Sequence, residues 1–258
     1  MSGPAVQVAD LVKRYGELTA VDRLSFEVRR GELFGFLGPN GAGKTTTISI
    51  LCTLLAPSSG QARVAGYDCL RQPFEVREQI GVIFQDSSLD ERLTAWENLE
   101  FHGMIYHMPK RLRRKRIDAV LDQVALADRR NGIVKTFSGG MKRRLEVARG
   151  LLHEPKVLFL DEPTIGLDPQ TRHNLWGTLH ELRTSGRVTL FLTTHSMEEA
   201  QRCDRVAIID AGRMAAAGAP ADLVRAHQAR NLEEVFLKVT GHGLRDEGDG
   251  AGRVRYWV

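Results

Sequence analysis

The stretch that most limits the fold is residues 33–55. Leu33-Phe34-Gly35-Phe36-Leu37 has the length and apolar character of a buried strand, and it runs directly into Gly38-Pro39-Asn40-Gly41-Ala42-Gly43-Lys44-Thr45. From Thr46 to Leu55 the pattern is helical. A strand, a glycine loop and a helix in that order form a phosphate-binding loop in the context it requires. Glycine is needed because the backbone must turn its N–H groups inward around a diphosphate, and the helix N-terminus adds partial positive charge. Lys44 is the candidate bridge between the β- and γ-phosphates, and Thr45 the candidate holder of Mg²⁺.

The rest of the chain supports a sheet around that loop. Apolar runs of strand length at residues 6–12, 25–28, 81–84, 157–160, 188–193 and 206–209 alternate with helical patterns, which predicts an α/β protein with a largely parallel sheet. From about residue 93 to 152 the texture becomes helix alone. Thr94-Ala95-Trp96-Glu97 has the form of a capping box, and residues 111–126 carry apolar side chains at helical spacing. This segment reads as an all-helical insertion. Its basic run, Lys110, Arg111, Arg113, Arg114, Lys115 and Arg116, reads as a solvated helix face. Residues 241–258 open with a Gly-rich, charged stretch and read as a flexible tail.

Composition removes several classes. With 258 residues, 42% hydrophobic and 26% charged, collagen-like, low-complexity and wholly disordered readings are out. No apolar stretch approaches the roughly 18 residues that a membrane span needs. A formal charge of +4 is mild for a protein that lives on nucleic acid. Cys52, Cys69 and Cys203 are an odd set within structured segments, so they read as core thiols of a reducing compartment. The N-terminus lacks the apolar run of a signal peptide, and the cytoplasm is the expected address.

A phosphate cradle hydrolyses nothing without a metal-ordering carboxylate and a group that activates water. Val157-Leu158-Phe159-Leu160-Asp161-Glu162 supplies both at the end of a buried strand. Asp161 is the candidate for the magnesium shell and Glu162 the candidate general base. Upstream, Ser138, Gly139, Gly140 and Met141 open a strongly amphipathic helix, a second N-terminus suited to an anion.

These strings together resemble the nucleotide-binding subunits of ABC transporters, over about residues 6–239. Phe137-Ser138-Gly139-Gly140-Met141 is similar to the family's signature, with Phe for Leu and Met for Gln. The resemblance implies a RecA-like P-loop NTPase core, an N-terminal antiparallel β subdomain and a helical subdomain at about 93–152, in an ATP-binding domain of residues 4–240. It also implies ATP and Mg²⁺ as cofactors. Tyr15 is similar to the aromatic that stacks on adenine. Gln85 looks like the glutamine that ligates Mg²⁺ and senses the membrane partner. Asp168, in Gly166-Leu167-Asp168, matches the loop that links two sites across a dimer, and His195 resembles the switch histidine at the γ-phosphate.

The further implication is a split site, in which two chains meet head to tail and each ATP lies between Lys44 of one and Ser138 with Gly140 of the other. The pore would then be a separate membrane polypeptide, docked near residues 86–101. Residues 85–90, 137–144, 163–172 and 231–237 resemble the ABC-2 type exporters of the daunorubicin and doxorubicin resistance kind. Exporters of polysaccharides, nodulation factors or lipids share much of that pattern. A rival of another class is a soluble ABC-type ATPase acting on DNA or ribosomes. The single compact cassette, with no coiled-coil split and no second cassette, counts against it, so no nucleic acid partner is expected.

Overall fold

The central strands are buried at every position, and in their apolar stretches the kind of residue alternates. In residues 33–37, Phe34 and Phe36 point to one face and Leu33 and Leu37 to the other. Residues 157–160 repeat this, with Phe159 opposite Leu158 and Leu160, and so do residues 190–192, with Phe191 opposite Leu190 and Leu192. Such strands must be covered on both sides, as in a parallel sheet within an α/β fold. The computed structural model describes residues 3–241, so the tail expected beyond Gly241 lies outside the described residues.

Two sheets result. β1 (Val6–Tyr15) and β2 (Leu18–Val28) form an antiparallel hairpin. After β3 (Leu33–Leu37), β4 (Ser59–Val64) and β5 (Tyr67–Asp68) join that hairpin in the order β2-β1-β4-β5. The second sheet contains β3 with β6 (Ile80–Ile83), β7 (Val157–Asp161), β8 (Thr189–Thr194), β9 (Arg205–Asp210) and β10 (Arg213–Gly218), in the order β10-β9-β3-β8-β7-β6. Its pairings are parallel except β9 with β10. The crossovers include α1 (Lys44–Leu51), α2 (Pro73–Gln79), α3 (Ala95–Ile105), α4 (Lys110–Gln123), α5 (Gly139–Leu151), α6 (Pro169–Thr184) and α7 (Met197–Gln201), and α8 (Pro220–Ala226) and α9 (Leu232–Thr240) follow β10.

The phenylalanine face packs against the antiparallel sheet. Phe26 of β2 stacks on Phe34 with ring centroids 5.8 Å apart and lies 5.4 Å from Phe36 and 6.1 Å from Phe191. Each such ring contributes roughly 1.5–3 kcal/mol by leaving water. The leucine face packs against α3 to α6, where Leu99, Ile117, Leu145 and Leu179 are fully buried. The sheet that carries the phosphate-binding loop is therefore clamped between a β layer and a helical layer.

Several local expectations need adjusting. β2 begins at Leu18, well before the predicted residue 25, and β4 and β10 were not anticipated. β4 is a polar Ser/Gly/Arg strand and β10 an Ala-rich one with few large side chains, and both expose alternate residues, so neither carries the strand pattern of a buried run. α3 does start with the capping box: Thr94 Oγ1 accepts from the Glu97 N–H at 3.1 Å, and Glu97 accepts from the Thr94 N–H at 2.8 Å. The basic run is only partly a solvated face. Arg113 pairs with Glu100 at 2.6 Å, and Arg116 donates to the carbonyls of Leu151 and Leu152. Their i, i+3 spacing turns both toward neighbouring elements while Lys110, Arg111, Arg114 and Lys115 stay exposed. Trp96 is half-buried against the helical core. All three cysteines are buried and free, and burial pushes the Cys69 thiol up to about 12.

Candidate active site

Parallel pairing brings four strand ends to one edge. Leu37 lies opposite Thr194, Asp161 opposite Thr193, and Ile83 opposite Leu160. The segments that leave β3, β8, β7 and β6 are the glycine loop, His195, Glu162 and Gln85. Ligands of open α/β sheets gather at this carboxyl edge. Residues more than 100 positions apart in sequence thus become neighbours through backbone register alone.

The loop holds a shape that needs glycine. Gly43 has φ 97°, and a Cβ there would meet the Ala20 carbonyl oxygen at 2.5 Å. The loop is further tied down because the Gly38 N–H donates to Thr194 O at 3.2 Å and the Ala42 carbonyl accepts from Gly212 at 3.1 Å. Pro39 is buried, Asn40 and Gly41 are exposed, and Thr46 is half-buried on the first turn of α1. Lys44, 5% exposed, curls back over the loop and donates to Gly38 O at 2.9 Å and Pro39 O at 3.2 Å. Its third partner is Glu162 Oε1 at 3.1 Å. An ammonium held over inward-turned backbone suits a phosphate, a stronger acceptor than a carbonyl.

Glu162 joins the cation to the histidine. Its Oε2 lies 3.2 Å from His195 Nδ1, close enough for an ion pair although not aligned as a hydrogen bond. Burial pushes the Glu162 carboxyl up, but His195 and Lys44 outweigh it and hold the group below its usual value. Glu162 in turn raises His195, against the opposing effect of burial. The chain turns sharply here, with Glu162 at φ 46° and its N–H donating to Thr193 Oγ1 at 3.0 Å. The same hydroxyl donates to Asp161 Oδ1, so Thr193 fixes both acids.

Asp161 is buried, and that burial raises its carboxyl, with the Thr193 hydroxyl opposing and Glu162 adding to the rise. Smaller lowering effects come from Lys44 and the Thr45 hydroxyl. A buried carboxylate beside an exposed threonine hydroxyl is an oxygen donor set that fits a hard cation such as Mg²⁺. Gln85 is exposed two residues beyond the end of β6. Glu162 and His195 open onto a cavity of about 460 Å³, also lined by Thr164, Gly166, Arg172 and Ser196.

The second anion-suited segment lies elsewhere. Ser138 caps α5 by accepting from the Met141 N–H at 3.3 Å, and Ser138 and Gly139 are exposed. Gly140 packs against α6, where a Cβ would meet the Thr171 side chain at 2.5 Å, and Met141 packs on the helical core. Among the described residues, no hydrogen bond or ion pair links residues 138–141 to residues 38–46. Asp168 caps α6 by accepting from the Thr171 N–H at 3.0 Å. Tyr15, 42% exposed at the end of β1, carries the Lys13 ammonium 5.1 Å from its ring centre.

Sequence reasoning overlooked the groups that hold these pieces. Glu199 of α7 is 5% exposed and accepts from the hydroxyls of Thr164 and Thr194, the latter at 2.6 Å. Arg143 and Glu146 of α5 are buried beneath Phe84 and Pro163. The available signal was an Arg and a Glu at i, i+3 on the apolar stripe of an amphipathic helix, where a charge must find a partner.

Comparison with known proteins agrees with this geometry. Residues 21–165 match the ABC transporter family. A daunorubicin resistance ATP-binding protein from Streptomyces coeruleorubidus is 44% identical over 93% of this chain and 76% of its own. A Nod factor export ATP-binding protein I from Ralstonia nicotianae is 45% identical over 91% of this chain and 73% of its own. Among solved structures, an ATP-binding subunit of an ABC transporter superposes with a TM-score of 0.81 at 32% identity, covering 92% of this chain and 99% of that one. The expected P-loop core, with its antiparallel sheet and helical layer, is the observed fold. A phosphate cradle, two acids and a histidine gathered at one sheet edge, within that fold and at that identity, have one reading: the chain belongs to the ABC transporter family, as an ATP-binding, ATP-hydrolysing subunit.

Proposed function

We propose that this subunit powers an ABC-2 type exporter, acting at the cytoplasmic face of a membrane on a separate permease, with a drug-like or amphipathic cargo. The daunorubicin resistance relative supports that cargo class. The Nod factor relative supports a second one within the same export chemistry. No helix among the described residues is long and apolar enough to cross a membrane, so the pore has to come from another polypeptide or from outside those residues.

The observation that carries the reading is the meeting of Lys44, Asp161, Glu162 and His195 at one edge while Ser138 and Gly139 lie exposed on a different element. A site with its cradle in one place and its second anion-suited helix in another is completed by a second copy, head to tail. In such a dimer residues 38–46 hold the phosphates, with Tyr15 against the base and Ser138 to Met141 closing from the other chain. Thr45, Gln85 and Asp161 are the residues that would hold Mg²⁺, which supplies charge neutralisation on the phosphates when bound. Glu162, kept ionised by Lys44 and His195, takes the proton of the attacking water. His195 keeps Glu162 oriented and offers positive charge to the γ-phosphate, and Asp168 sits in the loop that meets the other chain.

Glu162→Gln tests this. The variant is expected to bind ATP normally, to lose about 10²- to 10⁴-fold in kcat, and to run as a dimer in ATP and Mg²⁺ by light scattering. A folded variant that stays monomeric with ATP and Mg²⁺ refutes the split site. Export is tested by co-expression with a membrane protein encoded beside the gene, where copurification and an ATPase rate lost in Glu162→Gln are expected. A lone ATPase stimulated by DNA or ribosomes overturns the transporter reading.

A further inference from the structure

Three segments around the site are held by one buried ion pair. Arg143 and Glu146, in α5, are 7% and 3% exposed. The Arg143 guanidinium donates through Nε to Pro163 O at 2.8 Å, immediately after Glu162. Through Nη1 it donates to Phe84 O at 2.6 Å, immediately before Gln85, and to Glu146 Oε2 at 2.8 Å. The other oxygen of Glu146 accepts from the Ser88 N–H at 3.3 Å. One turn further along α5, Arg149 donates to Ser88 O at 2.8 Å and to the Ser88 hydroxyl. Both ends of the 84–88 segment are therefore grasped by the helix that Ser138 caps.

The planar fork of arginine suits this place because its donors leave in fixed directions and can serve two backbone carbonyls and a carboxylate together. A lysine offers a point charge on a flexible stem. Both carbonyls belong to backbone that directly precedes or follows a proposed site residue. A shift of the 84–88 segment cannot leave the turn at residue 163 or the start of α5 in place without breaking charge-assisted hydrogen bonds in a dry environment, where they are strongest.

We propose that Arg143 and Glu146 are positioning residues that lock the Gln85 segment, the turn after Glu162 and the signature helix into one unit, so that movement of any one is passed to the other two. The inference deepens the functional reading above and rests on it for the roles of Gln85 and Glu162. It assigns neither residue a contact with nucleotide.

The test uses the full chain with Arg143→Met, Arg143→Lys and Glu146→Gln, each checked for folding by circular dichroism. In Arg143→Met, kcat for ATP hydrolysis is expected to fall about tenfold or more while KM for ATP stays within about twofold, because residues 38–46 are untouched. Amide hydrogen exchange is expected to quicken in residues 84–88 and 164–166 together. Arg143→Lys keeps the charge but not the fork and is expected not to restore kcat. Wild-type kcat in folded Arg143→Met, a joint change in KM, full rescue by Arg143→Lys, or faster exchange in only one segment each overturns the proposal. If Arg143→Met does not fold, Glu146→Gln is judged by the same kcat, KM and exchange criteria. Glu162→Gln is run beside them: undiminished hydrolysis there removes the assignment of Glu162, while the exchange data still decide whether the 84–88 segment and the turn after Glu162 move as one.

Discussion

The cradle at the sheet edge and the helical layer of residues 95–151 are held in place in opposite ways. The cradle is placed by backbone: β3, β8 and β7 are hydrogen-bonded in register, so the loop, His195 and Glu162 follow from which strands pair. The helical layer is placed by apolar packing on the leucine face and tied by long side chains that reach for carbonyls. Arg116 holds Leu151 and Leu152, Arg144 holds Val124 and Ala125, and Arg143 holds Phe84 and Pro163. Register is shared among many hydrogen bonds and tolerates little movement, whereas a few side-chain ties can be reset together. A nucleotide site benefits from the first arrangement, and a layer that must answer a second chain or a membrane partner from the second.

The sharpest way to break the contrast is at the cradle. Lys44→Ala is expected to weaken ATP binding by about 10³-fold, roughly 4 kcal/mol, in a fluorescent-nucleotide titration. Retained micromolar binding would contradict the cradle. The helical layer is tested by Leu99→Ala, which opens a hole at a fully buried site of α3. A stability loss of about 3 kcal/mol is expected in urea unfolding, with ATP affinity little changed if the two regions are held independently.

A smaller effect separates the regions by pH. His102 and His153 lie with Tyr106 where α3 meets the end of α5; the Tyr106 ring is 3.9 Å from His153 and 4.8 Å from His102. Burial lowers His102 to about 3, helped by Arg149 and His153, and lowers His153 to about 4, against its contact with Ile80 O and helped by Arg116. Unfolded histidine titrates near 6.5, so below that pH the unfolded chain binds protons that the folded chain refuses. The contribution of these two histidines should therefore be full above pH 6.5 and fall on acidification toward pH 4, by at most about 1.4 kcal/mol per pH unit for each histidine. His195 acts with the opposite sign, since its raised value favours the folded state when protonated and is lost as pH rises through that value. Urea midpoints at pH 7.5, 6 and 5 check this, and a His102→Phe variant should show a shallower acid decline. The smallest expected change is Thr94→Ala, which removes a helix cap for about 1 kcal/mol and leaves hydrolysis intact.

Much of the site was legible because its chemistry is contiguous in sequence. Lys44 and Thr45 follow their glycines, Asp161 and Glu162 end their strand, and Ser138 stands at the head of its helix. Each is a local string whose residues must be neighbours whatever the fold does. Tyr15, Gln85, Asp168 and His195 were reached only through resemblance, since a tyrosine or glutamine at a strand end has no local property that singles it out. β4 and β10 were missed because a strand with exposed alternate residues owes its pairing to the sheet beside it more than to its own hydrophobicity.

The strand-loop-helix unit, the α/β alternation, the capped helix at Thr94 and the presence of a phosphate cradle and two acids are all written in the linear order of residues. These depend on glycine conformations, on apolar period and on caps that act within a few residues. Packing in three dimensions is what makes Thr193 hold both Asp161 and Glu162, Glu162 bridge Lys44 and His195, Glu199 tie Thr164 to Thr194, and Arg143 join Phe84 to Pro163. Each of these contacts joins separate elements in the sheet or helical layers. A buried polar group takes whichever partner the packing brings within about 3 Å, and sequence distance carries no information about that.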